Sequence, residues 1–143
     1  MPNKISPRIA DYVNALPLAP GLRVLEVGCG PGVAAREVSR RIGDGLIVAI
    51  DRSAKAISLA EEGSRAELQT GRLQFRNIAV ENFELPPGEE PFDIAFAMRV
   101  GALDGRHAEL EKQARARLKA ALKPEGLLII DSREPVRGRD IEV

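Results

Sequence analysis

The sequence predicts an α/β domain in three αβα layers around a doubly wound, mostly parallel sheet of about five strands in the order 3-2-1-4-5. Two observations lead to this fold class. Short runs of branched apolar residues alternate with segments that carry apolar residues at helical spacing. The first of these runs ends at a glycine cluster, Gly28–Gly32, from which a helix starts. Strands and helices that alternate in this way form βαβ units with right-handed crossovers.

The first predicted elements are an N-terminal helix within residues 1–20 and a strand at 23–27. Ser6 is a favoured N-cap, and Pro7 suits the first helical turn because its missing N–H would have no partner there. The strand is a short β-branched run that stops at the glycine cluster. A second helix follows Gly32, because apolar residues then recur at helical spacing.

The rest of the chain repeats this alternation. Residues 46–50 are apolar throughout, which is typical of a strand buried on both faces of a parallel sheet. Asp51 closes that strand, and Ser53 is an N-cap for the next helix. The remaining predicted elements are strands at 73–79, 92–98 and 127–130, a helix with apolar residues from Leu110 to Leu122, a break at Pro124–Gly126 and a tail at 132–143.

The composition indicates one globular domain over residues 1–143 and excludes several classes of function. The 21 basic side chains equal the 21 acidic ones in number, so no net charge attracts nucleic acid or an acidic membrane surface. One cysteine and one histidine are too few for a disulfide within the chain or for a metal cluster. No apolar segment is long enough to span a membrane, and we expect a cytoplasmic protein.

The glycine cluster carries the strongest functional signal, because ligands of doubly wound sheets bind beyond the carboxyl ends of the strands. Its spacing is Gly28-x-Gly30-x-Gly32, and Val33 stands where the dinucleotide fingerprint requires its last glycine. The charge of Glu26, two residues upstream, would repel a pyrophosphate and attract a ligand with sulfonium and ammonium groups. These features disfavour an NAD-dependent oxidoreductase.

Asp51 is the second candidate ligand-binding acid. At the end of a strand, a carboxylate can accept hydrogen bonds from both hydroxyls of a ribose. Its alternative role is to cap the helix that starts near Ser53. We favour the ribose role, because the acid stands at this strand end after this glycine loop.

Four segments, Glu26–Gly32, Asp51, Phe92–Asp93 and Leu122–Gly126, together resemble the class I SAM-dependent methyltransferase family. The similarity runs from about Leu22 to Ser132. It implies a Rossmann-like fold, S-adenosylmethionine (SAM) as the cofactor, and methyl transfer. The cofactor-binding residues that the resemblance implies are Glu26, Gly28, Cys29, Gly30, Gly32, Asp51, Arg52, Ala79, Val80, Met98 and Arg99.

Within this resemblance, the three glycines line the methionine part of SAM, Glu26 orders the loop, and Asp51 holds the ribose. Residues 77–81 and Met98–Arg99 flank the adenine and the methionine tail. Many relatives have an Asp for the adenine amine where this chain has Ala79. The backbone at Ala79 and Val80 is expected to serve instead, at a loss of about 1 kcal/mol for the missing hydrogen bond.

The C-terminal end also departs from the family pattern, since family members usually continue into a helix and an antiparallel pair of strands. Here twelve residues follow Asp131. The strand at 127–130 would then lie at an edge of the sheet, and a bare apolar edge favours aggregation. We expect residues 136–143 to cover it, or a second copy of the chain to do so in a homodimer.

The function predicted from the sequence is therefore SAM-dependent methylation of a small-molecule acceptor. A SAM-binding regulatory or partner subunit without activity is the alternative. His107 is a candidate general base or an exposed residue, and Cys29 is a nucleophile or, as we favour, a small packing residue. Arg99 binds an acidic acceptor or the cofactor carboxylate, or else it is a solvated loop charge.

Overall fold

The computed structural model describes residues 5–143, which form one six-stranded sheet with helices on both faces. The strands are β1 (Arg23–Val27), β2 (Leu46–Asp51), β3 (Leu73–Asn77), β4 (Phe92–Ala97), β5 (Leu122–Ile130) and β6 (Val136–Arg137). The α-helices are α1 (Pro7–Ala15), α2 (Val33–Arg41), α3 (Ala54–Gly63), α4 (Arg65–Gln69) and α5 (Ala108–Ala121). The short helix α4 was not predicted from the sequence.

The sheet has the order β3-β2-β1-β4-β5-β6, so the predicted order 3-2-1-4-5 is confirmed and a sixth strand extends it. Strands β1 to β5 are parallel. The order reverses at β1, where the chain crosses from one half of the sheet to the other. Ligands of this fold class bind at that point.

Two apolar clusters cover the two faces of the sheet, because successive side chains of a strand point to opposite faces. Leu25 of β1 packs in the cluster that contains α5, while Val24 packs in the cluster that contains α1 and α2. Helices on both faces confirm the predicted three-layer architecture.

Both predicted N-caps are present. Ser6 Oγ accepts a hydrogen bond from the backbone N–H of Ile9 at 3.3 Å, and Ser53 Oγ accepts one from Ala56 at 3.1 Å. The start of the predicted N-terminal segment, residues 1–4, lies outside the described residues.

The predicted start of the fifth strand was wrong. Strand β5 begins at Leu122 instead of residue 127, and the segment Pro124–Gly126 lies inside the strand instead of breaking the chain. The β4–β5 register pairs Phe92 with Leu122 and then shifts before it pairs Ile94 with Leu127. Because this irregularity absorbs the extra residues, a proline and a glycine are tolerated within the strand.

The predicted ends of two other strands also differ. Strand β3 stops at Asn77 instead of Ala79, and β4 stops at Ala97 instead of Met98. The residues beyond these ends turn away from the sheet and enter the site described below.

The C-terminal tail covers the β5 edge, which was one of the two predicted alternatives. Strand β6 pairs antiparallel with Leu127 and Leu128, and Ile141 is buried in the core beyond it. The ammonium of Lys119 on α5 donates to the carbonyl of Ile141 at 2.8 Å, which fixes the tail to the domain. Across residues 5–143, no helix has the length and apolar character needed to cross a membrane.

Candidate cofactor-binding site

Two adjoining cavities open at the carboxyl ends of the strands. The first, of about 220 Å³, lies between the ends of β1, β2 and β3 and the segment after β4. The second, of about 200 Å³, lies between the glycine loop, the first turn of α1 and the end of β4. Gly28 and Arg99 line both cavities, so the two meet at these residues. We name them the β2-side cavity and the α1-side cavity.

The glycine loop has the backbone geometry that requires glycine. Gly28, Gly30 and Gly32 have φ values of 74°, 53° and 87°, in the left-handed region that side chains disfavour. A methyl group placed on Gly28 would lie 2.7 Å from Cγ2 of Val100. The loop therefore passes close beneath the segment that follows β4.

Gly32 has a different role from the one the resemblance implied, since it lines neither cavity. A methyl group on it would lie 3.0 Å from the Phe75 ring and 3.2 Å from the guanidinium of Arg36. Arg36 is buried, and its Nη1 donates to the carbonyl of Pro31 at 3.0 Å and to Ser64 Oγ at 2.9 Å. Gly32 therefore allows the close packing that ties the loop to the α3–α4 junction.

Glu26, on the central strand β1, lines the α1-side cavity. The residue is only 5% exposed, and its Oε1 has no hydrogen-bond partner in the described part of the chain. Burial, and to a smaller extent the charge of Asp51, raises the pKa of Glu26 to about 8. A buried carboxylate without a hydrogen-bond partner destabilises the folded protein unless a ligand binds to it.

Asp51 lines the β2-side cavity and holds two backbone groups at once. Its Oδ2 accepts from the N–H of Gly30 at 2.9 Å, and its Oδ1 accepts from the N–H of Ser53 at 2.9 Å. Asp51 therefore takes part in the turn that starts α3, close to the alternative role of a helix cap. It also holds the glycine loop through Gly30. Each oxygen keeps a further lone pair for a ligand hydroxyl.

Most of the other predicted residues line one cavity or the other. Arg52, Ala79 and Val80 line the β2-side cavity, and Arg52 forms an ion pair with Glu81 at 3.5 Å. Cys29, Gly30 and Met98 line the α1-side cavity. Burial raises the pKa of the Cys29 thiol, so the thiol is protonated at neutral pH and fits the packing role.

His107 lies outside both cavities. It is exposed at the start of α5 and lines a separate open groove beside Arg52. Its imidazole makes no capping hydrogen bond with the helix.

The lining residues that were not predicted from the sequence include Arg8 and Val100. Arg8 in the first turn of α1 lines the α1-side cavity, and Val100 lines the β2-side cavity. Arg8 lies in the first turn after the N-cap Ser6, and Val100 lies in the loop after β4, which carries no recognisable ligand-binding motif. No local pattern marks either residue, because tertiary packing brings them to the glycine loop.

Comparisons with known proteins agree with this geometry. The sequence pattern of the family described as "Methyltransferase domain" matches residues 24–126. The chain is similar to a ubiquinone biosynthesis O-methyltransferase from Albidiferax ferrireducens, at 33% identity over 68% of this chain and 37% of the relative. It is also similar to a trans-aconitate 2-methyltransferase from Delftia acidovorans, at 31% identity over 85% of this chain and 41% of the relative. The chain thus spans about two fifths of the length of these curated relatives.

Two solved structures share the fold. A SAM-dependent methyltransferase from Thiobacillus denitrificans, in complex with S-adenosyl-L-homocysteine, has a TM-score of 0.68 at 24% identity, over 88% of this chain and 48% of that one. The 4+2 cyclase SpnF has a TM-score of 0.67 at 30% identity, over 89% of this chain and 46% of that one. Because the family pattern covers well over half of its residues, this chain belongs to the methyltransferase domain family, and its resemblance to class I SAM-dependent methyltransferases is confirmed.

Proposed function

We propose that this chain binds SAM across the two cavities and transfers its methyl group to a small-molecule acceptor. The observation that carries the proposal is the buried carboxylate of Glu26, which faces the α1-side cavity with one oxygen unpartnered. A cationic ligand would complete this group, and the methionine end of SAM carries both an ammonium and a sulfonium.

The residues around the cavities fit SAM. Glu26 would accept a hydrogen bond from the ammonium, and Gly28 lets the loop pass close to Val100, so that both residues line the β2-side cavity. Asp51 would accept from the ribose hydroxyls through lone pairs that the loop does not use. The backbone at Ala79 and Val80 would border the adenine, in place of the missing acid.

When bound, SAM supplies an electrophilic methyl group on a positively charged sulfur. The contribution of the chain is to bind, align and exclude water, which is sufficient for a transfer that depends on in-line geometry. Tyr12 is not a suitable base, because its hydroxyl donates to the carbonyls of Ala97 and Ile129 at 3.3 and 3.2 Å. Burial also raises the pKa of this hydroxyl.

A small-molecule acceptor is supported by the curated relatives. Their names, ubiquinone biosynthesis O-methyltransferase and trans-aconitate 2-methyltransferase, both refer to small molecules. Residues 1–143 would act as one unit, and a cytoplasmic location and a homodimer stay predictions.

A second candidate function is a SAM-binding domain without methyltransferase activity. The similarity to the cyclase SpnF favours keeping this alternative, since that relative is named for a different reaction.

Two measurements test the proposal. Calorimetric titration of the purified protein with SAM, S-adenosylhomocysteine and NAD should show binding of the first two and none of NAD. Incubation with methyl-labelled SAM and a panel of small acids and phenols should then produce S-adenosylhomocysteine. Binding without turnover would favour the second candidate, whereas NAD binding without SAM binding would overturn the proposal.

A further inference from the structure

The α1-side cavity has more positive charge than a bound cofactor would neutralise. Two arginines line it, Arg8 from α1 and Arg99 from the segment after β4, and Glu26 is the one acid among the lining residues. Both arginines are exposed, and both guanidinium groups lack hydrogen bonds and ion pairs within residues 5–143.

This lack of partners is uncommon within residues 5–143, where Arg65 is the other arginine without a hydrogen bond or ion pair. Ten other arginines form ion pairs with carboxylates, and these are Arg23, Arg40, Arg41, Arg52, Arg76, Arg106, Arg115, Arg117, Arg137 and Arg139. Carboxylates are therefore used widely to neutralise guanidinium groups elsewhere on the surface. At the mouth of the cavity the two guanidinium groups remain free for a ligand.

The backbone of Arg99 is held in place at this position. Arg99 has a φ of 55°, and its N–H donates to Asp131 Oδ1 at 2.8 Å. A left-handed conformation costs a non-glycine residue roughly 1–2 kcal/mol, and such costs are concentrated at functional sites. The fold therefore fixes Arg99 where the two cavities meet.

A count of charges separates the roles of the two arginines. The methionine end of SAM carries one carboxylate, which one guanidinium can neutralise, and its cationic groups are complementary to Glu26. Arg8 lines only the α1-side cavity, which suits it to that carboxylate. Arg99 lines both cavities and so lies beside the junction, with no counter-charge from the cofactor.

We propose that Arg99 recognises a carboxylate on the methyl acceptor, so that the substrates of this chain are anionic small molecules. The inference rests on the proposed function, because it assumes that SAM occupies the two cavities. A guanidinium binds a carboxylate through two parallel hydrogen bonds, which would orient the acceptor as well as attract it. With SAM bound, the sulfonium adds positive charge and strengthens the attraction for an anion.

The test uses binding to the protein saturated with S-adenosylhomocysteine, so the natural acceptor need not be known. The probes are two matched pairs, benzoate with benzamide and succinate with succinamide, titrated by calorimetry or by chemical-shift perturbation. At least one acid should bind ten-fold more tightly than its amide. Arg99→Gln should reduce that preference to less than three-fold, and the Kd of S-adenosylhomocysteine is measured on the same variant so that the probes are titrated at saturation.

Arg65→Gln is the matched control, because Arg65 is also exposed and lies on α4, away from both cavities. It should behave like the wild type toward all four probes. Equal binding of acids and amides, or no binding of either acid, would overturn the inference. An Arg99 variant that loses S-adenosylhomocysteine affinity without changing the preference would assign Arg99 to the cofactor instead. Failure of the proposed function would be recognised separately, since the wild-type protein would then bind no S-adenosylhomocysteine.

Discussion

The backbone N–H of Arg99 donates a 2.8 Å hydrogen bond to Oδ1 of Asp131, and the two residues share an unusual conformation. They are the non-glycine residues with positive φ in the described chain, at 55° and 50°. The N–H of Asp131 in turn donates to the carbonyl of Ala97 at 2.9 Å. The second residue after β4 and the first residue after β5 therefore hold each other in left-handed conformations at the edge of the site.

Asp131→Ala should loosen the segment that follows β4. This exposed hydrogen bond contributes at most about 1 kcal/mol, and without it the strained backbone of Arg99 would relax. We expect SAM binding to weaken several-fold. Asp131→Asn should retain most of the affinity, because its Oδ1 still accepts the hydrogen bond. Calorimetry on both variants measures the difference, and equal losses in the two would show that the hydrogen bond does not hold the segment.

Glu26 should make the stability of the free protein fall as the pH rises. Because its pKa is raised to about 8, the folded state keeps a proton that the unfolded state has already released above its ordinary pKa. Between these two values the folded state binds more protons, so the free energy of unfolding decreases by up to about 1.4 kcal/mol per pH unit. Urea unfolding at pH 5.5, 6.5 and 7.5 measures this slope.

Glu26→Gln is the control for that slope. The amide cannot ionise, so the variant should show a flatter dependence over the same range while it binds SAM at least several-fold more weakly. In the wild type, SAM binding near pH 7 should release a proton, because the cationic ligand lowers the pKa of Glu26. Calorimetry in two buffers of different ionisation enthalpy detects that proton. Identical pH slopes for variant and wild type would contradict the assignment.

Asp51→Ala should weaken SAM binding at least several-fold and leave the fold intact. The substitution removes the proposed ribose contact and the acceptor for both Gly30 and Ser53. Asp51→Asn should give an intermediate loss, because its single carbonyl oxygen can accept from only one of the two backbone groups. Circular dichroism confirms the fold, and calorimetry gives the affinities. Unchanged affinity in the Ala variant would remove Asp51 from the site.

Gly28→Ala should destabilise the protein through both strain and a clash. The φ of 74° costs a residue with a side chain roughly 1–2 kcal/mol, and the new methyl would lie 2.7 Å from Cγ2 of Val100. Adding Val100→Ala should remove the clash, whereas the backbone strain at residue 28 should remain. Gly71→Ala is the matched control, with a φ of 75° and no atom within 4 Å of the added methyl.

Thermal unfolding of these variants completes a double-mutant cycle. We expect Gly28→Ala to lower the melting temperature more than Gly71→Ala does, and the added Val100→Ala to bring the two closer. If Val100→Ala made Gly28→Ala worse, the close approach of the loop and the segment after β4 would not be the cause.

Local sequence patterns were sufficient to predict much of the fold. The caps at Ser6 and Ser53 were predicted correctly, because capping depends on a side chain and backbone groups only a few residues away. The doubly wound parallel sheet also followed from the alternation of apolar strands and helices, and 3-2-1-4-5 is the strand order typical of this fold class. The start of β5 was wrong, because Leu122 continues the helical spacing of α5 while Pro124 and Gly126 resemble a break. The start of β5 is set by its pairing with β4, which lies about 30 residues earlier in the chain and is not visible in the local sequence pattern.

The same division holds for the site. The sequence by itself determined that Glu26, Gly28 and Asp51 lie on the side of the sheet where the parallel strands end, since each stands near the carboxyl end of a strand or just after it. Only the tertiary structure decided that Gly32 packs against Arg36 and faces neither cavity, and that Arg8 joins the cavity lining. It also placed Asp131, 32 residues along the chain, against the backbone of Arg99. Spacing along a strand or a helix is set by local geometry, whereas contacts between distant loops depend on how whole elements pack together.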